Sequence, residues 1–428
     1  MTETDDYDGS DGRIKSRATR VDFGSSSYIG TLGLGFDALG LPSSEQYPSY
    51  SGCGSAPSAD VEYTYKEGHL DRVRRGSVNF ASSISYHPNG LFETVVHDNG
   101  INDQQDIDPA DDMARPFRLY ASAGGTSSAV WESGVYRYDP SGNIFAIGND
   151  TYRYDKTSRL TQAIVGGTSR AYDYDAFGNL IQLGGRFWTT SPTTNRVDSF
   201  TYDQRGNVES SPAFGSLTYD ALNMPTSRTI GSDQAWYAYT ANEERIWTGR
   251  LASGVETQKL SLRGVDNKVR RELTRGDGGG TAIGWSKDYL YRGSSLLASQ
   301  SASGDVRHFH LDHLGTTRAI TDSAGALVTG HKYWPYGEEL TDPEASDNVM
   351  QFTGHERDEM GDLGSNRDDL DYMHARCYSP WAGRFLAIDP AGESAKPGLP
   401  QSWNRYGYAL GNPGRYVDPD GEASVCQP

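Results

Sequence analysis

A nine-residue pattern, aromatic-x-Tyr-Asp-x-x-Gly-Asn-apolar, recurs along this chain and restricts what it can fold into. It reads YRYDPSGNI at 136–144, YRYDKTSRL at 152–160, YDYDAFGNL at 172–180, FTYDQRGNV at 200–208 and LTYDALNMP at 217–225. The second aromatic falls at 138, 154, 174, 202 and 219, so the intervals are 16, 20, 28 and 17 residues. Weaker copies are GFDALG (35–40), YTYKEGHL (63–70), ISYHPNG (84–90) and YAYTANEERI (237–246). In Y-x-Y both aromatics face one side of a strand, because strand side chains alternate. Asp then opens a turn by accepting backbone N–H groups, and Gly-Asn takes the left-handed backbone the turn needs. An apolar residue (Ile144, Leu180 or Val208) opens the return strand. Each unit is thus a hairpin, and a lone hairpin is marginal, so units of about 20 residues must stack edge to edge into one sheet.

Composition agrees with that reading. The 428 residues include 50 glycines and 27 tyrosines, which suit many tight turns and aromatic strands. No long segment has the 3.6-residue periodicity of an amphipathic helix; the charged stretch 356–378 is interrupted by Gly361 and Gly364. The fold class expected is all-β, a continuous sheet of hairpins. Net charge is 39 − 57 = −18, a sign that repels phosphate backbones and anionic membrane surfaces. No apolar run reaches 18 residues, so membrane insertion is not expected. The opening MTETDDYDGSDGR has acidic residues where a signal peptide carries a basic and then an apolar region, so export, if any, is by a non-Sec route or within a longer protein. Cys53, Cys377 and Cys426 are too few for a disulfide scaffold.

The repeat resembles the YD repeat of the Rhs family, which includes bacterial polymorphic toxins, the C components of insecticidal toxin complexes and animal teneurins. The downstream motifs strengthen the resemblance. HLDHLGTTRAITDSAGALV (310–328), YWPYGE (333–338), QFTGHERDE (351–359), ARCYSPWAGRFLAIDPAG (375–392), WNRYGYALGNP (403–413) and YVDPDG (416–421) follow the order of the Rhs repeat-associated core. The resemblance implies a β-sheet ribbon that spirals into a partial shell or cocoon and ends in a core plug. On that reading, residues 1–20 are a disordered acidic terminus and 21–130 a degenerate repeat region. The YD-repeat sheet occupies 131–284, the core 285–421, and a short tail 422–428. The implied work is to encapsulate or display a polypeptide, at or beyond the cell surface. Expected partners are an enclosed polypeptide or C-terminal toxin segment and further shell or secretion-system components; no cofactor, metal or nucleic acid is expected. The modest number of repeats and the irregular start suggest part of a longer shell protein.

Many Rhs cores are similar to aspartyl autoproteases that cut themselves just after the D-P-x-G motif. The matching positions are Arg384, Asp389 and Asp418. Two carboxylates brought close share a proton, so one acts as base toward water while the other protonates the leaving amine. An arginine orients a carboxylate or stabilises the oxyanion. Two departures argue for a structural role instead: Glu422 stands where the family has Leu, and the stretch 393–417 is long. Asp-Pro and Asp-Gly are also ordinary turn chemistry. A third reading is a carbohydrate-binding or adhesive surface built from exposed tyrosines.

Other constellations carry less. His308, His310 and Asp312 share one face of a strand, a metal-like facet, but they lie within the core motif and a packing or hydrogen-bonding role is expected. Arg275-Gly276-Asp277 reads as a hairpin loop before it reads as an adhesive tripeptide. Cys377 and His374 lie three apart with no orienting third group in view.

Overall fold

The computed structural model describes residues 2–9, 12–23, 26–49, 56–110, 113–124, 128–275, 283–341, 348–360, 367–392, 395, 396, 398 and 400–426. Cys53 and the Gly276-Asp277 part of the adhesive tripeptide lie outside them. Among the described residues there is no α-helix, only short 3-10 turns. Strands pair antiparallel with their sequence neighbours throughout. Seventeen strands from Thr2–Tyr7 to Arg186–Phe187 form one meander, and thirteen from Thr201–Tyr202 to Leu327–Gly330 form a second. The all-β expectation holds.

The repeat works through three linked devices. The turn comes first: at Asp139 the N–H groups of Ser141 and Asn143 both donate to Oδ1 at 2.9 Å, and the Asn143 amide donates to Oδ2 at 2.9 Å. Asp155, Asp175, Asp203 and Asp220 accept the same two backbone donors. Second, the repeat Asn reaches into the next turn, where a left-handed residue receives it. Asn179 donates to Asn195 at 2.9 Å and Asn207 donates to Asn223 at 2.8 Å; the receivers have φ of 58° and 67°.

Third, the second tyrosine of each unit sits at a register shift. The pairing slips at Tyr138, Tyr154, Tyr174, Tyr202 and Tyr219. From that bulge several hydroxyls reach back to an earlier strand: Tyr154 donates to the Ile144 carbonyl and Tyr219 to the Val208 carbonyl, each at 2.8 Å, whereas Tyr174 turns to Tyr336 and the Gly411 carbonyl of the plug. Tyr239 donates likewise to Pro225 at 2.7 Å. A bulge adds twist, so one per unit makes the sheet coil rather than extend flat.

The expected boundaries need correction. Residues 2–7 and 14–23 are paired strands, not a disordered terminus. Their acidic face is matched across the pair, with Arg17 Nε donating to Asp5 at 2.8 Å and Thr19 facing Glu3. Among the described residues the first meander continues past residue 130, and the two meanders part between Phe187 and Thr201. Strand Gly284–Arg292 is laddered to Val269–Arg275, so residue 285 is no boundary; the second meander ends at Gly330.

The core segment beyond Gly330 fills the space between the meanders. It carries a four-stranded sheet, Glu356–Asp358, Leu370–Met373, Arg376–Ser379 and Arg384–Phe385. Tyr336, Phe352, Tyr378, Phe385 and Tyr408 pack against Leu160, Tyr172 and Leu183 of the first meander. Leu370, Tyr372 and Leu386 pack against Phe200, Phe214 and Leu217 of the second side. Buried ion pairs add direction: Arg357 grips Asp371 through two hydrogen bonds of 2.8 and 3.0 Å, both side chains at 0% exposure. The plug also reads the repeats directly, since Asn404 donates to Asn179 and Asn412 to Asn143.

The turns differ in their number of bonds. Asp175 takes four donors, including Thr190 Oγ1, whereas Asp220 takes two. Replacing Asp175 with Ala is expected to cost about 2–3 kcal/mol and Asp220→Ala about 1 kcal/mol, on the scale of bonds to a charged acceptor; urea unfolding of the two variants checks the order.

Candidate functional site

The tail doubles back on the plug. Strand Tyr416–Val417 pairs with Val425–Cys426, so the DPDG turn forms the end of a short hairpin. Gly421 has φ of 76°, and a Cβ there would lie 2.1 Å from the Met373 carbonyl oxygen, so only glycine fits. The turn is then held from several sides. Ala375 N–H donates to the Asp420 carbonyl at 3.0 Å, Arg376 Nε donates to the Gly421 carbonyl, and His355 lies 3.2 Å from the Pro419 carbonyl.

Asp389 and Asp418 are brought together, though not by the arginine expected. Arg376, on strand Arg376–Ser379, places one terminal nitrogen 3.0 Å from Asp418 Oδ2 and 3.6 Å from Asp389 Oδ2. Its guanidinium stacks over Phe385 at 3.6 Å, and its other terminal nitrogen donates to the Arg405 carbonyl at 3.1 Å. Arg384 faces elsewhere: it donates to the Asn195 carbonyl at 2.8 Å and lies over Tyr406. In the Tyr378–Phe385 hairpin, Arg384 pairs with Ser379 at the turn end, away from Arg376. The two carboxylates are linked through that one nitrogen of Arg376. A strand-alternation reading of ARCYSP would have offered Arg376 as the second candidate, because it and Tyr378 share a buried face.

The electrostatics set the two aspartates apart. Burial pushes the Asp418 carboxyl up to about 6, although Arg376 pulls against it. Asp418 Oδ1 accepts the N–H of Ala423 at 3.1 Å, which is the nitrogen of the Glu422–Ala423 peptide bond. Asp389 Oδ1 caps its own turn by accepting Ala391 N–H at 2.8 Å. Glu422 borders the same space, and burial, with Asp420 and Asp389 adding to it, raises its carboxyl as well. A cavity of about 90 Å³ lies among Arg376, Asp389, Asn404, Asp418, Glu422 and Ala423, room for more than one water. Two carboxylates, a cation and water space thus lie beside one peptide bond, the residue types acid–base hydrolysis uses.

The remaining candidates resolve simply. Cys377 is buried and its thiol is pushed up to about 12, mainly by desolvation, so it is no nucleophile. His374 bonds Glu244 at 2.8 Å. Asp312 leaves the histidine face and caps a turn, accepting Leu314 and Thr316 N–H and Arg318. The repeat tyrosines are buried or half-buried, not an exposed aromatic surface.

No family model matches the sequence. The chain is 30% identical over 281 residues to the tRNA3(Ser)-specific nuclease WapA of Bacillus spizizenii, covering 60% of this chain and 11% of that protein. It is 25% identical over 424 residues to toxin subunit YenC1 of Yersinia entomophaga, covering 80% of this chain and 42% of that one. The chain therefore spans less than half the length of these curated relatives. Among solved structures, the TcdB2-TccC3-TEV crystal structure superposes with a TM-score of 0.78 at 19% identity, over 98% of this chain and 23% of that one. That likeness is one of fold.

If Arg376 is the cation that restrains the Asp418 carboxyl, Arg376→Met raises the Asp418 pKa further, while Arg384→Met leaves it in place. Carboxyl carbon NMR titration of the two variants reads the difference.

Proposed function

Because this chain belongs to the Rhs/YD-repeat family, we propose that it is a shell segment that encloses a polypeptide during toxin delivery, with a plug that holds the segment entering from the C-terminal side. The observation that carries this reading is the position of the DPDG turn. It borders a cavity of about 720 Å³ between the first meander and the turn Val265–Lys268, lined by Tyr63, Tyr65 and Tyr86 with Pro419 and Asp420 at one side. The turn from which the tail folds back onto the plug thus lies beside this space. Export beyond the cell and further shell partners belong to the same proposal.

A second reading is supported by the bond from Ala423 to Asp418. In it the plug hydrolyses the Glu422–Ala423 peptide bond. Water in the adjoining cavity gives a proton to Asp389 as its oxygen attacks the Glu422 carbonyl carbon. Arg376 steadies the oxyanion, and protonated Asp418 hands its proton to the Ala423 nitrogen as the C–N bond breaks. Arg384 supports the plug wall and takes no part. The raised Glu422 carboxyl lowers the charge penalty of an acid at this position.

Shell function is tested by appending an unstructured peptide after Pro428 and treating the purified protein with trypsin under native conditions. Protection of the appended peptide relative to the same peptide on an unrelated carrier is expected; equal digestion rates contradict enclosure. Cleavage is tested by intact mass spectrometry. Loss of the residues after Glu422 is expected, slowed by at least ~100-fold in Asp418→Asn, as for removal of a general acid. The sign with pH follows from the raised Asp418 value: the acid must be protonated, so the rate falls about tenfold per pH unit above about pH 6. An intact chain at pH 5 after prolonged incubation rules the second reading out and leaves the shell reading standing.

A further inference from the structure

Two buried histidines meet one aspartate where the two meanders touch, and a third histidine backs one of them. His97 ends strand Phe92–His97 and Asp103 lies on Ile101–Asp106, both in the first meander. His308 and His310 lie on Val306–Leu311 in the second. His97 Nε2 is 2.8 Å from Asp103 Oδ2, and His310 Nδ1 is 2.5 Å from Asp103 Oδ1. One ligand atom from each of His97, Asp103 and His310 falls within 4.8 Å of the others.

Each imidazole is also held from behind. His97 Nδ1 is 3.1 Å from His308 Nδ1, and His310 Nε2 is 2.9 Å from Thr321 Oγ1. Asn99 in turn donates to Thr321 Oγ1 at 2.8 Å. Outer partners of this kind fix the ring tautomer and orientation of metal-binding histidines. Burial lowers the pKa of His97 and brings His308 to about 3. Burial raises that of Asp103, but His310 and His97 together more than reverse it. Asp103 further borders a cavity of about 350 Å³. Packing alone does not account for three buried imidazoles at one point, since apolar side chains fill such a space without the cost of desolvating ring nitrogens.

We propose that His97 Nε2, a carboxylate oxygen of Asp103 and His310 Nδ1 bind a divalent first-row transition ion, Zn²⁺ foremost, which clamps the first meander to the second. Two imidazoles, one carboxylate and one water make a four-coordinate set suited to zinc. In the bound form His97 carries its proton on Nδ1 and donates it to His308, while His310 carries its proton on Nε2 and donates to Thr321. The ion then joins residues more than 200 positions apart in sequence, where Asn99 already donates to the Asp322 carbonyl across the same seam.

The test uses the full chain without a histidine tag, in a Cys426→Ser background that removes an exposed competing thiol. After chelator treatment and buffer exchange, Zn²⁺ is titrated against a chromophoric chelator, and Co²⁺ is added in parallel for its visible spectrum. One equivalent of Zn²⁺ per chain is expected, together with a Co²⁺ spectrum of nitrogen and oxygen donors. Asp103→Asn is expected to weaken binding by at least ~100-fold and Thr321→Val by about 10-fold, the range for ligand and outer-partner changes. A folded chain that takes up neither ion overturns the site, as does uptake unchanged in both variants. Should circular dichroism find Asp103→Asn unfolded, Thr321→Val decides alone: unchanged affinity overturns the site and the tenfold loss supports it.

Discussion

The structure depends on one arrangement, a turn aspartate followed by a tyrosine hydroxyl bonded to the previous hairpin. An isolated hairpin in this chain has one weakly buried face and little reason to persist. Asp139 and its counterparts close each turn with side-chain acceptors, around a left-handed residue such as Gly142, Gly178 or Asn223. The second tyrosine then fastens the hairpin to its predecessor through the Ile144, Val208 or Pro225 carbonyl. Because each such tyrosine sits at a bulge, fastening and twisting are the same event. Curvature is therefore written into the repeat, unit by unit.

A coiled sheet leaves an interior to be filled, and the core segment fills it. Tyr336, Phe352, Tyr378 and Phe385 pack on one meander, and Leu370, Tyr372 and Leu386 on the other. Buried arginines give this packing a unique register. Arg270 reaches Glu45 across the meanders, Arg271 and Arg75 meet at Asp288, and Arg263 reaches Glu356 of the plug. Removing one member of such a pair strands its partner, which makes the pairs more useful for specifying the assembly than for adding net stability. The tail is held in the same way, with Arg376 joining Asp418, Asp389 and the Gly421 carbonyl.

Local chemistry was legible in the sequence, and long-range pairing was not. The turn aspartates, the glycines and the all-β class follow from residue types at short spacing. The bulge at Tyr138 or Tyr219 does not, because a register slip depends on the strand across from it. The acidic start looked disordered only because Arg17, its charge partner, was counted by composition and not by register. Asp389 and Asp418 were found as motif members, whereas Arg376 was passed over for Arg384, which stands nearer in sequence but faces Asn195. The His97–Asp103–His310 cluster was half visible as His308 and His310; its other half lies more than 200 residues upstream, and Asp312 proved to be a turn cap.

The account rests on the plug holding the tail so that Ala423 N–H donates to the buried carboxyl of Asp418. Amide hydrogen exchange followed by NMR reads this bond directly. The Ala423 amide is predicted to exchange far more slowly than in an unfolded peptide and to lose that protection in Arg376→Met. Exchange of the Ala423 amide at the unfolded-peptide rate in the unmodified chain would contradict the account.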